Sequence, residues 1–283
     1  MVVKEHYKPK EIDQLNNLIM LIMTVKANIK KGLLVKGILL IILILSVISI
    51  VIFSNIKLTD YQFKKKISLL SINPSPQVWA HARNSMVSFE QAIVDGAKGI
   101  EIDVHYDSSL FKFVISHDHP YQTHNGNLLF LEELLEKIPF KGYYWIDLKN
   151  LSKENLEDVT KKFKYLIKKY QKHDNLFVES WVKREISKLS NNGIQTIYWI
   201  DVKHPPGSFD HLREMHIARE LIVNSNFYAI SGPYEVFQQY RSDLFSSFPL
   251  FVFTVNDRKV LEEFKSNIRV KVILTDKPSF YNL

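Results

Sequence analysis

The sequence contains no cysteine. That excludes structural disulfides and thiolate-bound metals, so any metal has to be held by oxygen or nitrogen ligands. Apart from one apolar run, no internal repeat or low-complexity segment occurs in the 283 residues, a length that suits one domain with an appendage. Also lacking is any basic surplus in the main body. The whole chain carries a formal +7, but residues 1–66 hold 11 Lys against 4 acids, and residues 67–283 hold 26 basic and 26 acidic residues. A protein that grips a phosphate backbone needs many cations on its binding face. The neutral main body therefore argues against a nucleic-acid partner.

What is present begins with a basic segment, residues 1–36, followed by 20 consecutive uncharged residues, 37–56, between Lys36 and Lys57. At about 1.5 Å per residue such a run reaches roughly 30 Å, the thickness of a bilayer's hydrocarbon core. It predicts a single transmembrane helix. The run starts too late in the chain, and is too long, for a cleaved signal peptide, and no clear A-x-A site follows it. Lys26, Lys30, Lys31 and Lys36 precede the run, while Lys57 and Lys64–Lys66 follow it; the expected orientation, with the amino terminus in the cytoplasm and the main domain outside it, rests on the lysines before the run. Residues 57–76, with the Lys64–Lys66 run and Asn73-Pro74-Ser75-Pro76, read as a linker.

From residue 77 onward, short β-rich runs alternate with amphipathic helical stretches. The strand candidates are Val78–Ala82, Gly99–His105, Lys112–His117, Tyr143–Lys149, Leu176–Ser180, Gln195–Asp201, Phe227–Ser231, Leu250–Val255 and Val270–Thr275. Helical patterns include Val87–Val94, Leu128–Ile138, Lys153–Tyr170 and Asp257–Phe264. Repeated β-α alternation predicts a parallel sheet covered by helices. Only six residues separate the second and third runs, too few for a helical crossover. The third is thus a local excursion, and eight strands remain, the count of a (β/α)8 TIM barrel with few elaborations.

Chemistry-bearing residues gather at the carboxyl ends of these strands. Glu101-Ile102-Asp103 puts two carboxylates on one strand face, and Asp147-Leu148-Lys149 puts an acid and a lysine on another. In a TIM barrel that end is the active-site mouth. Carboxylates crowded together repel and are costly to desolvate unless a cation joins them, and an all-oxygen ligand set suits Mg2+ or Ca2+. The competing reading is a set of salt bridges within the barrel. His81 and His117 each end a strand run and would share the same rim, as fits an acid–base pair of imidazoles. Asp118 either orients His117 or starts the next turn. Glu179-Ser180 either lines the site or is rim polarity.

Six motifs in this order resemble the glycerophosphodiester phosphodiesterase superfamily. They are His81, Glu101-Ile102-Asp103-Val104, His117-Asp118, Asp147-Leu148-Lys149, Phe253-Thr254-Val255-Asn256-Asp257 and Thr275-Asp276-Lys277-Pro278. The resemblance covers residues 78 to 278. It implies a phospholipase C-like TIM barrel, with a divalent metal on Glu101, Asp103 and Asp147, His81 and His117 as catalytic acid and base, and Lys149 binding the substrate phosphate. The implied activity is hydrolysis of a small phosphodiester or a lipid headgroup. Departures from the family lie in the phosphate clamp. The usual H-R-G is His81-Ala82-Arg83 here, no P-E-N-T follows, the third acid is Asp147 rather than Glu, and Phe253 stands where Trp is common. Trp79-Ala80-His81-Ala82 with Asn84-Ser85 is similar instead to the menorin branch, and Asp147 before Leu148-Lys149 to that branch and to sphingomyelinase D. Two other readings compete: a barrel that binds a partner or headgroup without turnover, and an aldolase using Lys149 as a Schiff base. The second is disfavoured, because three acids beside a lysine favour its charged form.

Overall fold

The computed structural model describes residues 40–55, 57, 77–123, 126–202, 204–205, 208–239 and 248–283. The chain divides into two units, Met1–Leu58 and Thr59–Leu283. The basic segment 1–36, residues 37–39 and 56 of the predicted transmembrane run, and residues 58–76 of the predicted linker lie outside the described residues. Within the first unit, residues 40–55 are helical. Among the described residues no helix is long and apolar enough to cross a membrane. The expected 20-residue span is therefore described only in part, and 16 helical residues reach about 24 Å, short of a bilayer core.

The second unit is built on nine strands: β1 Gln77–Ala80, β2 Gly99–Asp107, β3 Lys112–Ile115, β4 Tyr143–Leu148, β5 Leu176–Ser180, β6 Thr196–Trp199, β7 Ala229–Pro233, β8 Leu250–Phe253 and β9 Val270–Thr275. Eight of them run parallel in the ring β1-β2-β4-β5-β6-β7-β8-β9, closed because β1 pairs with both β2 and β9. The third strand pairs antiparallel with β2 and sits outside the ring, as the short gap before it requires. The helices, numbered within this unit, are α1 Met86–Val94, α2 Leu131–Lys137, α3 Leu156–Tyr170, α4 Lys183–Asn191, α5 Phe209–Val223, α6 Tyr234–Gln239 and α7 Arg258–Lys265.

Two apolar layers follow from strand alternation. Outward residues such as Ile100, Ile102, Tyr144 and Ile146 pack with Phe89, Phe163 and Leu166 of the helices. Inward residues Trp79, Trp145, Phe177, Ile197, Phe251 and Leu274 fill the pore with side chains, many of them aromatic, so the barrel is a packed core rather than a channel. Trp79 stacks on Tyr143 at 5.3 Å and meets Phe251 edge-on at 5.7 Å. Gly99 makes room for this packing: a Cβ there would lie 2.2 Å from the Trp79 ring.

Helix starts follow their capping residues. Ser85 caps α1 in a reciprocal capping box with Ser88, Ser208 accepts from the His211 amide at the start of α5, and Asp257 accepts from the Val260 amide at the start of α7. Each of these helices follows a strand of the ring, so its amino-terminal turn faces the carboxyl ends of the strands.

Candidate active site

The inward faces that carry aromatics lower in the barrel carry acids at its mouth. On β2 the inward series is Gly99, Glu101, Asp103 and His105; on β4 it is Tyr143, Trp145 and Asp147; on β5 it is Phe177 and Glu179. The parallel register sets Asp103 beside Asp147 and Asp147 beside Glu179. Glu101, Asp103 and Asp147 each offer a carboxylate oxygen, and these oxygens lie within 4.8 Å of one another. Ligands of a single Ca2+ at about 2.4 Å can be separated by up to about twice that distance. The spacing, the all-oxygen chemistry and the burial of Glu101 and Asp103 fit one hard divalent cation.

Electrostatics point the same way. Burial, then the charges of Asp103 and Asp147, push the Glu101 carboxyl well above the usual carboxylate range, against an opposing hydrogen bond from the Ala82 amide. Burial also raises Asp147, with Lys149 opposing. Such a cluster is poised to exchange protons for a cation. Lys149 lies between two of the acids, its Nζ 2.6 Å from Asp103 Oδ1 and in contact with Asp147 Oδ2, the kind of ion pair that the competing salt-bridge reading expected. Burial alone would lower its pKa, but Asp147 and Asp103 outweigh that and raise it. Lys149 is held as an ammonium, which suits a phosphate contact and opposes a Schiff base.

Each predicted histidine is paired with an aspartate through Nδ1. His81 Nδ1 meets Asp276 Oδ1 at 2.8 Å, and His117 Nδ1 meets Asp118 Oδ1 at 2.8 Å. A carboxylate only accepts, so Nδ1–H donates and Nε2 remains for proton transfer in both imidazoles. Asp118 thus sits as an orienting group. His117 is also near enough to Asp147 for its charge to act on that carboxyl.

Several contacts around the site were not legible beforehand. Asn84 Nδ2 donates to Asp103 Oδ2 at 2.6 Å, and the Asp103 amide donates to Asn84 Oδ1 at 2.9 Å. The Ala82 amide donates to Glu101 Oε2 at 2.6 Å, from a backbone at φ +52°. These contacts occupy the stretch where the H-R-G and P-E-N-T clamp is replaced. Asn256 donates to Asp276 Oδ2 at 2.7 Å and accepts from the Asp276 amide at 2.9 Å, fixing the partner of His81. His105 Nε2 lies 3.2 Å from the His117 carbonyl, so Nε2–H donates and steadies the turn that bears His117. Glu179 is buried and accepts from Ser231 Oγ at 2.9 Å. Burial, then the charge of Asp147, raises its carboxyl well above the usual range, against hydrogen bonds from Ser231 and Trp145. Glu179 therefore lines the site.

Neither a family model nor a curated protein matches the chain. Solved structures do. A glycerophosphodiester phosphodiesterase from Parabacteroides distasonis is similar at TM-score 0.55 and 21% identity, over 74% of this chain and 97% of that one. A putative glycerophosphoryl diester phosphodiesterase from Silicibacter pomeroyi is similar at TM-score 0.54 and 14% identity, over 73% of this chain and 92% of that one. A calcium-dependent phosphoinositol-specific phospholipase C from a Pseudomonas species gives TM-score 0.51 and 11% identity, over 74% and 91%. At these identities the likeness establishes the fold, a TIM barrel.

Proposed function

We propose that this chain hydrolyses a phosphodiester, using a divalent cation held by Glu101, Asp103 and Asp147 and the imidazoles of His81 and His117 as acid and base. The observation that carries the reading is the convergence of three carboxylate oxygens within 4.8 Å, at a mouth that also holds two aspartate-oriented imidazoles. The fold shared with glycerophosphodiester phosphodiesterases and a phosphoinositol-specific phospholipase C supports it. Mg2+ and Ca2+ are the candidate ions, and when bound the ion offsets negative charge growing on the non-bridging phosphate oxygens.

The chain's own groups do the rest. Lys149 supplies a second positive contact to the phosphate. One imidazole takes a proton at Nε2 from the nucleophile, water or a hydroxyl of the substrate itself. The nucleophile's oxygen bonds to phosphorus as the bond to the leaving oxygen breaks, and the other imidazolium gives its Nε2 proton to the leaving alcohol. Asp276 and Asp118 hold both rings in the tautomer this needs. In this reading the apolar run 37–56 ties the barrel to a bilayer, outside the cytoplasm, and the substrate is a small or lipid-borne diester.

The test is turnover of bis(p-nitrophenyl) phosphate by the full chain in detergent, with Mg2+ or Ca2+. EDTA should silence it, and His117→Ala or His81→Ala should lower kcat by about 100-fold or more while the circular dichroism spectrum stays unchanged. Full activity in metal-stripped protein, or in a folded His117→Ala variant, would remove the corresponding role.

A further inference from the structure

We infer that the lower end of the barrel, the end opposite the mouth, rests on an anionic lipid surface through a set of lysines, so that the mouth opens away from that surface and takes its diester from solution. The docking stands on its own observations; only the last clause rests on the phosphodiesterase reading above.

The zero balance of residues 67–283 conceals a separation of charge. The mouth holds the carboxylate cluster described above. All eight strands of the ring run parallel toward it, so the residues that precede them share the other end. Lys98 directly precedes β2, Lys141 lies just before β4, Lys168 stands in the last turn of α3, and Lys172 lies in the loop from α3 to β5. Arg269 precedes β9, and Lys271 lies within its first turn of chain. Among the described residues of these lower loops, the acids are Asp95 and Asp174. The loops are stitched together: the Tyr143 amide donates to the Lys98 carbonyl at 3.1 Å, and the Tyr144 amide to the Asn175 carbonyl at 2.7 Å. Their lysines therefore belong to one surface.

That surface has more cations than the chain neutralises. Residues 159–173 hold six lysines and no acid. Their apolar side, Val159, Phe163, Leu166 and Ile167, is buried, so the lysines face outward. Glu157 holds Lys161, and Glu132 holds Lys162. Exposed Lys98, Lys141 and Lys168 have no acid within ion-pair distance among the described residues. Lys172 lies 4.7 Å over the Tyr144 ring, and its Nζ donates to the Phe140 carbonyl at 2.8 Å. Burial lowers its pKa, as it does for Arg269 and Lys271. A cation kept partly out of water, with no carboxylate beside it, is relieved by an anion arriving from outside. Lipid is the anion this chain itself points to. Residues 57–76 enter β1 at this same end, at Gln77, and carry Lys57 and Lys64–Lys66 against Asp60 alone. Before them stand the 20 uncharged residues 37–56. A cluster of lysines just beyond an apolar run is the sequence form of binding to anionic headgroups, and the lower lysines continue that charge onto the barrel. The same negative field repels the carboxylates of the mouth, so both ends favour one orientation.

The test uses the full chain reconstituted into vesicles of dioleoylphosphatidylcholine, alone or mixed with dioleoylphosphatidylglycerol. The chain has no cysteine, so one introduced thiol takes one label. His173→Cys puts a dansyl donor at the lower end, on an exposed loop residue; Val87→Cys puts it at the mouth end, on the first turn of α1, at a position 77% exposed. A rhodamine on lipid headgroups accepts the energy. Transfer from position 173 should rise when phosphatidylglycerol is included and should exceed transfer from position 87. About 1 M NaCl, where the Debye length is about 3 Å, should cancel the rise. Lys98→Ser with Lys141→Ser and Lys168→Ser should cancel it too, with an unchanged thermal melt and an unchanged rate on soluble bis(p-nitrophenyl) phosphate. Transfer that ignores phosphatidylglycerol, or that is larger from position 87, would overturn the docking and leave the lysines to an acidic protein or to solvent. If the transfer behaves as expected but no diester is hydrolysed, the enzymatic reading fails and the docking survives. If the vesicle's own phosphatidylcholine is cleaved as fast as glycerophosphocholine in solution, the docking survives and the outward-facing supply of substrate is wrong.

Discussion

Both carboxylate oxygens of Asp103 already receive a donor, Oδ1 from Lys149 and Oδ2 from Asn84. Each oxygen keeps a second lone pair, so these bonds leave the group able to take the proposed cation. Asn84→Ala should therefore weaken Mg2+ or Ca2+ binding by about 10–100-fold, read by titration calorimetry on the full chain with no need for substrate. Glu179 offers a second test through pH. Burial, followed by the charge of Asp147, lifts its carboxyl far above the ordinary range. An acid with a raised native pKa binds its proton more tightly folded than unfolded, so stability falls as pH rises from the unfolded value through the folded one. Glu179→Gln removes that penalty while leaving Ser231 an oxygen to bond. In EDTA the variant should melt above its parent at pH 8, with the gap narrowing as pH falls; a parent that melts higher at pH 8 would mean that the charged form is favoured there.

Among the elements, β2 and β4 do most to build the site, and their reading from sequence was direct. A strand with period-two alternation sends Glu101 and Asp103 to one face whatever the fold around it. The parallel strands also stood out as apolar runs, because they are covered on both faces. Boundaries were less legible. Phe227 is buried and so reads as strand, but the paired strand starts at Ala229; Gln195–Asp201 narrows to Thr196–Trp199, although the Gln195 carbonyl and the Ile200 amide each still bond to a neighbouring strand. Gly99 shows a constraint invisible in the chain. Its missing side chain is the space into which Trp79 fits, and Trp79 lies on another strand. Gly99→Ala should cost about 2–3 kcal/mol by overpacking, measured by urea unfolding, whereas the same change at Gly193, where no atom lies within 4 Å of the added Cβ, meets only the strain of a positive φ.

For the molecule as a whole, what escaped the sequence is what ring closure creates. His81 and Asp276 are 195 residues apart, and Asn84 and Asp103 are 19 apart; neither pairing follows from local periodicity, and both exist only because β1 is inserted between β2 and β9. That insertion is uneven. The first strand is matched to β9 over four residue pairs but to β2 through Ala80 and Ile100 alone. Just beyond that single rung, the Ala82 amide reaches Glu101, the Arg83 amide reaches the Glu101 carbonyl at 3.0 Å, and Asn84 grips Asp103. The clasp of the barrel and the proposed ligands of the cation are one and the same. Chelation should accordingly be felt as breathing at this joint: in hydrogen exchange, the amides of residues 80–84 and 100–103 should trade protons faster once the ion is withdrawn, while those between β4 and β5 keep their pace.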